Sequence, residues 1–370
     1  MDFTFSPEQQ AVQELAARIM GDHATPERVR EIEASEDRMD RELWALLADA
    51  GLLGLAVSEE HGGAGLGIVE LGLLLEQQGR AVAPVPLWPS LVLGALPIAE
   101  HGSTEQKERL LPGVVDGSVV LTAALAERGQ NDALSPAAVA TETPQGWRLA
   151  GAKPMVPAAH VASLALVPAR TGDGTLGVFL VDPSGPGVAA ERVTTTNREI
   201  HSHLHFDGAV ADPLGDPRDG VRLVRWMQQH ALVGLAALQL GVAEEAVRRA
   251  AQYLSTREQF GRPLSTFQAA AHRAADAHID SEAMRVTLWQ AAARLAEGRD
   301  AEREVLVAKW WASDAGQRVV HAAQHLHGGM GADIDYPMHR YFLWGKQIEV
   351  TLGGAAVTLE KLGGVIAASS

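Results

Sequence analysis

Residues 253–264 read Tyr-Leu-Ser-Thr-Arg-Glu-Gln-Phe-Gly-Arg-Pro-Leu and stand between two long stretches of helical periodicity. Apolar residues recur there at three- to four-residue spacing, which predicts helices over about 219–256 and 266–297. The same spacing predicts further helices over 301–327 and 338–367. Long helices joined by short, glycine-containing breaks are typical of a helical bundle.

The break at 257–261 has two interpretations. In the first, Gly261 ends the preceding helix as a C-cap and Phe260 packs into the core. In the second, Arg257 and Gln259 project to where a diphosphate binds, because a guanidinium fork is suited to phosphate oxygens. The residues of the break alone leave both interpretations open.

Upstream of these helices the periodicity changes. Helical spacing extends from about 6 to 112, and Ser6-Pro7-Glu8-Gln9 has the pattern of an N-cap, a proline and an acidic first turn. From about 119 to 212, short apolar runs are separated by Gly, Pro, Asp and Thr, which predicts β-strands. These runs lie at 147–150, 163–167, 177–181 and 203–206.

The order of helices, strands and helices favours an α+β fold over a sheet built from βαβ units. We predict an N-terminal helical domain over 1–118 and a middle antiparallel β domain over 119–215. A C-terminal four-helix bundle follows over 216–370.

The composition narrows the classes of function. Acidic residues outnumber basic ones 46 to 31, the formal net charge is -15, and the basic residues form no stripe. Nucleic acid is therefore not an expected partner. The chain contains no cysteine, which removes disulfides, thiolate nucleophiles and Cys-ligated metal centres. Any redox chemistry must then come from a cofactor.

The first residues and the apolar stretches of the sequence indicate in which cellular compartment the protein is expected. Met1-Asp2-Phe3-Thr4-Phe5 lacks the basic and apolar regions of a secretory signal. No stretch reaches the roughly 18 uninterrupted apolar residues of a membrane helix, and the longest, 231–243, is interrupted by Gln239. We therefore expect a cytoplasmic protein without a membrane partner.

Two groups of histidines have spacings that can suit metals. His201, His203 and His205 share one face of a predicted strand, and His321 lies one helical turn before His325. Neither group has the accompanying carboxylate or second pair that zinc sites usually show, so we expect no metal.

Glycines and glutamates form the remaining candidates. His325-Leu326-His327-Gly328-Gly329-Met330-Gly331 either ends a helix or lets backbone amides approach a ligand closely. Glu349 is a candidate proton-abstracting base, with a solvated helix face as the alternative. Glu244-Glu245 followed by Arg248-Arg249 is typical of ion pairing on a helix surface.

Together, these motifs resemble the acyl-CoA dehydrogenase family, from about residue 6 to 365. The resemblance rests on Gly51-Leu52-Leu53-Gly54-Leu55, Glu59-Glu60-His61-Gly62-Gly63, Arg257-Glu258-Gln259-Phe260-Gly261, Phe267-Gln268, His327-Gly328-Gly329-Met330-Gly331 and Asp335-Tyr336-Pro337. It implies FAD at a subunit interface. The implied cofactor contacts are Arg257, Gln259, Phe260 and Gln268 from one chain, and His325, Gly328 and Gly329 from a neighbour.

The family reaction removes the α-proton of an acyl thioester with a Glu, while the β-hydrogen leaves as hydride to the flavin. The resemblance places this Glu in a Tyr-Glu-Gly-Thr run, where the chain has Thr351-Leu352-Gly353-Gly354. Leu352 thus stands at the position of the base. The alternative position in the family falls on Ala231. We therefore expect this chain to supply no catalytic residue.

Other departures from the family pattern concern the flavin ring. Residues 126–132 correspond to the family's Thr-Glu-Pro-Gly-x-Gly-Ser-Asp run, and Met155-Val156-Pro157 corresponds to its Trp-Ile-Thr. Proline has no amide donor, and neither it nor methionine replaces a threonine hydroxyl. His325 stands where the family usually has Gln. The resemblance therefore implies retained diphosphate contacts and lost ring contacts.

Residues 335–344 resemble those family members that work as α2β2 heterotetramers on CoA thioesters of steroid side chains in actinobacteria. The implied function is a subunit of an FAD-dependent acyl-CoA dehydrogenase that lacks the base and works with a homologous partner on an acyl-CoA. A homotetramer is the alternative assembly. A complete dehydrogenase using Glu349, a non-catalytic scaffold and a flavin monooxygenase also stay open.

Overall fold

The computed structural model describes residues 4–129 and 132–368. The chain divides into two compact units by its contacts. The first comprises Met1–Arg30, Gly72–Ala83 and Leu232–Ser370, and the second comprises Glu31–Leu71 and Pro84–Ala231. The predicted order of helices, strands and helices is confirmed. The three domain boundaries inferred from the sequence stay a prediction.

The part of the chain before the sheet is helical. Its α-helices are α1 (Pro7–His23), α2 (Pro26–Ala34), α3 (Arg41–Asp49), α4 (Ile68–Ala81), α5 (Leu96–His101) and α6 (Thr104–Val115). A π-helix covers Trp88–Ala95. The predicted cap of α1 is confirmed: Gln9 N–H donates to Ser6 Oγ, and Ser6 N–H donates to the Gln9 side chain. This reciprocal pair satisfies amides that the first helical turn leaves without partners.

The middle of the chain forms a seven-stranded sheet. Its strands are β1 (Leu121–Ala123), β2 (Val139–Thr143), β3 (Gly146–Pro157), β4 (Leu164–Thr171), β5 (Leu176–Val181), β6 (Val188–Thr194) and β7 (Ile200–Pro213). The four strand runs predicted from the sequence fall in β3, β4, β5 and β7 to within one residue. Leu149, Phe179 and Leu204 belong to its buried core.

The sheet is mixed and not wholly antiparallel. β4 pairs in parallel with both β1 and β2, while the other pairings are antiparallel. The prediction of an antiparallel sheet is therefore wrong for the pairings of β4 with β1 and β2, while β4 and β5 do pair antiparallel. The chain makes β2 and β3 between β1 and β4, which provides the long connection that the parallel pairing of β1 with β4 requires.

The last part of the chain is again helical. It contains α7 (Gly220–Thr256), the short strands β8 (Glu258–Gln259) and β9 (Arg262–Pro263), α8 (Gln268–Ala296), α9 (Glu302–His327), α10 (Gly329–Ala332), α11 (Met338–Val350) and α12 (Ala355–Ala368). Helix α9 packs against α8, α11 and α12.

The single helix predicted over 338–367 is wrong, because the chain breaks between α11 and α12. Leu352 and Gly353 have φ angles of 56° and 110°. Right-handed helical backbone cannot continue through positive φ angles, so α11 ends at Val350.

Two helical stretches, Gly220–Thr256 and Met338–Ala368, are long and apolar enough to cross a membrane by length and composition only. The most apolar window of the first is 83% buried, as in the core helix of a globular protein. The corresponding window of the second is 11% buried. The end of the chain therefore exposes an apolar helical surface.

The small residues in the middle of α7 allow close packing against α4. A Cβ added at Gly241 would overlap the carbonyl oxygen of Glu76, and one added at Gly79 would overlap that of Leu238. Backbones this close leave no room for larger side chains. Gly241 of α7 and Gly79 of α4 thus allow a close helix crossing within the first unit.

Replacing Gly241 with Ala tests this crossing. We expect Gly241→Ala to lower the free energy of unfolding by about 1–3 kcal/mol, because the methyl group forces α4 and α7 apart. Gly21→Ala is the matched control, since a Cβ at Gly21 of α1 meets nothing within 4 Å. Helix propensity alone should stabilise that variant by up to about 1 kcal/mol. Urea unfolding measures both, and equal stabilities would contradict the crossing.

Candidate functional site

The run after α7 forms an exposed two-residue hairpin. Gln259 pairs with Arg262, and Phe260 and Gly261 at the tip have φ angles of 55° and 78°. Phe260 is 92% exposed. The interpretation that Gly261 is a simple C-cap with Phe260 in the core is therefore wrong. Positive φ angles at both tip residues suit a tight hairpin turn, which directs the ring outward.

Polar groups surround the base of this hairpin. Arg257 and Gln268 are exposed, and the backbone carbonyl of Arg257 accepts a hydrogen bond of 2.9 Å from Leu264 N–H. Helix α8 begins at Gln268, and its N-cap Phe267 offers no side-chain hydrogen bond to the first turn. Arg262 lies over the Phe267 ring, 4.2 Å from its centroid. A helix N-terminus beside guanidinium groups attracts anions.

The glycine segment follows directly on α9. His325, Gly328 and Gly329 are exposed, and Gly328 has φ 62° and ψ −139°, a conformation that side chains rarely allow. A Cβ added at Gly328 or Gly329 would meet nothing within 4 Å. Packing therefore does not explain these two glycines. They leave backbone open to the approach of a ligand.

An aromatic contact joins the two segments within one chain. The Tyr253 ring in the last turn of α7 stacks on His327, the last residue of α9, with 4.8 Å between centroids. The hairpin and the glycine segment therefore leave the bundle at the same end. The family resemblance assigned their cofactor contacts to two chains, and that assignment stays a prediction.

The break between α11 and α12 contains Leu352, at the position where the resemblance expects the base. A buried lysine holds the preceding helix end: Lys309 Nζ donates to the carbonyls of Ile348 at 2.9 Å and Glu349 at 3.2 Å. Ser313 Oγ donates to the same Glu349 carbonyl at 3.1 Å. Burial lowers the pKa of Lys309 to about 7, against the opposing charge of Glu349. A cationic group suits this helix C-terminus.

The side chain of Glu349 is directed to a neighbouring lysine. It is 17% exposed, and its Oε2 lies 2.5 Å from Lys346 Nζ. The solvated face considered from the sequence is therefore wrong for Glu349. A carboxylate held in an ion pair has an electrostatic role within its own helix.

The side chains of Glu244 and Glu245 are only 8% and 11% exposed, contrary to the surface pairing expected from the sequence. Glu245 does pair with Arg248 and Arg249 as the spacing predicted, at 2.6 and 2.8 Å. Glu244 instead forms ion pairs with Arg80 and Arg285 from other helices of the first unit. These carboxylates stabilise helix packing, since buried charges persist only when they are paired.

Ala231, the alternative position at which the resemblance expects the base, lies in the second unit and has no acidic side chain. Ala231 is fully buried, and its carbonyl oxygen accepts a hydrogen bond of 3.1 Å from Trp88 Nε1. Trp88 begins the π-helix. The position is thus part of a packed contact between helices.

The residues at the expected flavin-ring position already have partners inside the second unit. Met155 N–H donates to His203 Nδ1 at 3.2 Å, and Thr122 Oγ1 donates to the Pro157 carbonyl at 2.6 Å. Val156 is fully buried. Since Pro157 has no amide hydrogen, this stretch offers few donors to a ligand.

The other expected ring segment is anchored from inside the protein. Glu127 forms a buried ion pair with Lys153 and accepts a hydrogen bond of 3.3 Å from Ala137 N–H. Burial lowers the pKa of Lys153, and Glu127 opposes this effect. The neighbouring Gln130 and Asn131 lie outside the described residues.

The histidine groups do not converge. His201 on β7 is buried and His205 is exposed, while His321 packs edge-on against Phe342 with 4.7 Å between ring centroids. Within residues 4–129 and 132–368, no three His, Cys, Asp or Glu side chains come together to hold a metal ion.

Comparison with known proteins identifies the family of this chain. Residues 6–118 match the N-terminal domain of acyl-CoA dehydrogenases, and residues 218–366 match their C-terminal domain. The chain belongs to the acyl-CoA dehydrogenase family. The acyl-CoA dehydrogenase FadE27 of Mycobacterium tuberculosis is 40% identical over 372 residues, with 98% of each chain covered. Members of this family are oxidoreductases that act on CH–CH donors and use FAD.

Two solved assemblies of this family share the fold closely. A variant of the Tcur3481–Tcur3483 steroid ACAD has a TM-score of 0.93 and 53% identity, covering 98% of this chain and 99% of that chain. The ChsE4–ChsE5 complex from Mycobacterium tuberculosis has a TM-score of 0.93 and 40% identity, covering 99% of each chain.

The residues of this chain suit the diphosphate of FAD better than its flavin ring. Exposed Arg257 and Gln259, the start of α8 and the open glycine backbone form a donor set suited to a diphosphate. Met155 and Pro157, whose polar groups are bonded internally or absent, do not replace hydroxyl donors to the ring. We therefore expect this chain to hold the phosphate end of the flavin.

The buried Lys309, which holds the end of α11, predicts how the free energy of unfolding depends on pH. The pKa of Lys309 is about 7 in the folded chain and 10.5 in the unfolded chain, so between these values the unfolded state binds more protons. The free energy of unfolding should therefore rise from about pH 7 to 10, by a few kcal/mol at most. Lys309→Met should flatten this rise in urea unfolding. Lys107→Met serves as control, because Lys107 is partly exposed. If the free energy of unfolding of Lys309→Met still rises with pH as in the unmodified chain, the rise does not come from Lys309.

Proposed function

We propose that the chain is one subunit of a heteromeric FAD-dependent acyl-CoA dehydrogenase, and that a homologous partner chain supplies the proton-abstracting Glu. One observation carries the proposal: exposed diphosphate donors occur together with Leu352 and Ala231 at the two positions of the base. A chain that did all the chemistry would need an acid at one of these positions. We further propose that it works in the cytoplasm, with domains over 1–118, 119–215 and 216–370.

The proposed division of work follows from the residues. FAD, when bound, supplies the acceptor for the hydride that leaves the β-carbon. Arg257, Gln259 and Gln268 of this chain bind its diphosphate, and the hairpin presents Phe260 to the cofactor or the partner. His325, Gly328 and Gly329 of this chain contact the FAD that a neighbouring chain binds, through their exposed backbone.

Exposed apolar residues support a partner chain. Among the described residues, most of the large hydrophobic side chains that are exposed lie in the first unit, after residue 259. They are Phe260, Ile279, Val286, Met330, Ile334, Val350, Leu359 and Ile366. Their concentration in one unit is the feature that we interpret as a partner surface. Since the similar ChsE4–ChsE5 and Tcur3481–Tcur3483 proteins are named as pairs, a heteromer is favoured over a homotetramer.

The name of one relative suggests the substrate. The Tcur3481–Tcur3483 protein is described as a steroid ACAD and shares 53% identity with this chain. We therefore propose a CoA thioester with a steroid side chain or another bulky acyl group. A panel of acyl-CoA substrates tested on the reconstituted complex would distinguish steroid from straight-chain thioesters.

The visible absorption spectrum tests the assembly. We expect the chain purified alone to be colourless or weakly yellow and inactive, and its complex with a co-expressed homologue to be yellow and to oxidise acyl-CoA. A chain that is yellow and active alone would overturn the proposal. A complex that lacks flavin would instead favour a non-catalytic scaffold.

Arg257→Leu tests the diphosphate contacts. Removing a charged donor to phosphate should weaken FAD binding by about 10- to 100-fold, measured as flavin content after dialysis of the complex. Arg299→Leu is the matched control, because Arg299 is exposed and pairs only locally with Glu297 at 2.9 Å. Equal flavin content in the two variants would argue against Arg257 as a cofactor ligand.

A complete dehydrogenase using Glu349 is the second candidate, favoured by its place three residues before Leu352. Its ion pair with Lys346 weighs against it. We expect Glu349→Gln to change the turnover of the complex by less than about 3-fold, whereas loss of a true base lowers the rate at least ~100-fold. Steady-state kinetics with a saturating acyl-CoA separate these outcomes.

A further inference from the structure

The first unit contains a cavity of about 340 Å³ that is separate from the hairpin and glycine segments. The ends of α1 and α4, the start of α2, the middle of α7 and the start of α11 form its walls. Its volume falls in the range of pockets that hold small molecules, about 300–1,000 Å³. Nothing in the proposed flavin or thioester chemistry uses this cavity.

The charge of the lining is opposite to that of the chain. The charged side chains that line the cavity are Arg80, Arg249 and Arg340 together with Glu245. The protein as a whole has a formal net charge of -15. Glu245 pairs with Arg249 at 2.8 Å within the lining and with Arg248, which lies outside the lining, at 2.6 Å. A half-open pocket lined by three guanidinium groups and one carboxylate favours an anion.

The arginines are held in place by the surrounding structure. Arg340 is 2% exposed. Arg249 lies over the Tyr341 ring, 5.2 Å from its centroid, and Tyr341 OH donates to the Arg80 carbonyl at 2.8 Å. Arg80 itself is fixed by ion pairs with Glu76 and Glu244. Donors that are positioned beforehand lose little conformational entropy when they bind a ligand.

The opposite wall of the cavity is apolar. Ala17 and Met20 of α1, its C-cap Ala24 and Val29 of α2 line it. A fully hydrated inorganic anion gains nothing from such a wall. A carboxylate with a short apolar body matches both walls, because its head meets the guanidinium groups and its chain buries apolar surface.

We propose that this cavity is a binding site for a small organic carboxylate. Its lining shares no residue with the hairpin or the glycine segment. The carboxylate accepts hydrogen bonds from the arginine side, and its apolar body lies against α1. The proposal does not depend on the flavin, so the failure of one proposal leaves the other standing.

Isothermal titration of the full-length chain with octanoate tests the site, with octanol and inorganic phosphate as reference ligands. We expect octanoate to bind at least tenfold more tightly than either. Ala17→Phe fills the mouth of the cavity and should weaken octanoate at least tenfold. Ala11→Phe is the matched control, because Ala11 is an exposed alanine on the same helix that does not line the cavity.

Arg249→Gln is a second test of the site, and it does not fill the cavity. It removes the charge but keeps a polar side chain, and should weaken octanoate by about 10- to 100-fold. Octanoate binding that is absent, that octanol equals, or that survives Ala17→Phe unchanged would overturn the proposal. Because Ala17 is exposed, that variant does not disturb the buried ion pairs and should fold as the control does.

Discussion

The close crossing of α4 and α7 is the contact on which the first unit depends. Gly79 and Gly241 bring the two backbones together, and neither position tolerates a Cβ without moving the other helix. Glu244 on α7 pairs with Arg80 on α4 and with Arg285 on α8, so the crossing also fixes buried charges. Since a buried charge without a partner is strongly unfavourable, helix spacing and ion pairing stabilise each other.

Helix α7 connects this crossing to the features that carry function. Glu245 and Arg249 in its middle line the arginine-rich cavity, and its C-terminal end leads into the exposed hairpin at Phe260. Stacking of Tyr253 on His327 brings the end of α9 to the same side. The end of α7 and the end of α9 therefore place the two exposed segments at the same end of the bundle.

The break between α11 and α12, where the resemblance expects the base, is held in place by hydrogen bonds from buried side chains. Lys309 and Ser313 hold the end of α11 through its backbone carbonyls, and Leu352 adopts a positive φ angle just beyond it. Such a backbone conformation is unfavourable for leucine and persists when its surroundings enforce it. The proposed absence of the acid from this chain therefore goes together with a segment whose backbone is held in place by Lys309 and Ser313.

The sequence by itself determined the succession of helices and strands, the cap at Ser6 and the family motifs, because periodicity and capping depend on near neighbours in the chain. The presence of Leu352 and Ala231 at the two positions where the family resemblance expects an acid was also readable without a structure, since it concerns residue identity alone. Only the tertiary structure decided that Phe260 faces solvent, that β4 pairs in parallel, and that Glu244 is buried with arginines from other helices. These features depend on which distant segments meet, and local patterns carry no information about such contacts.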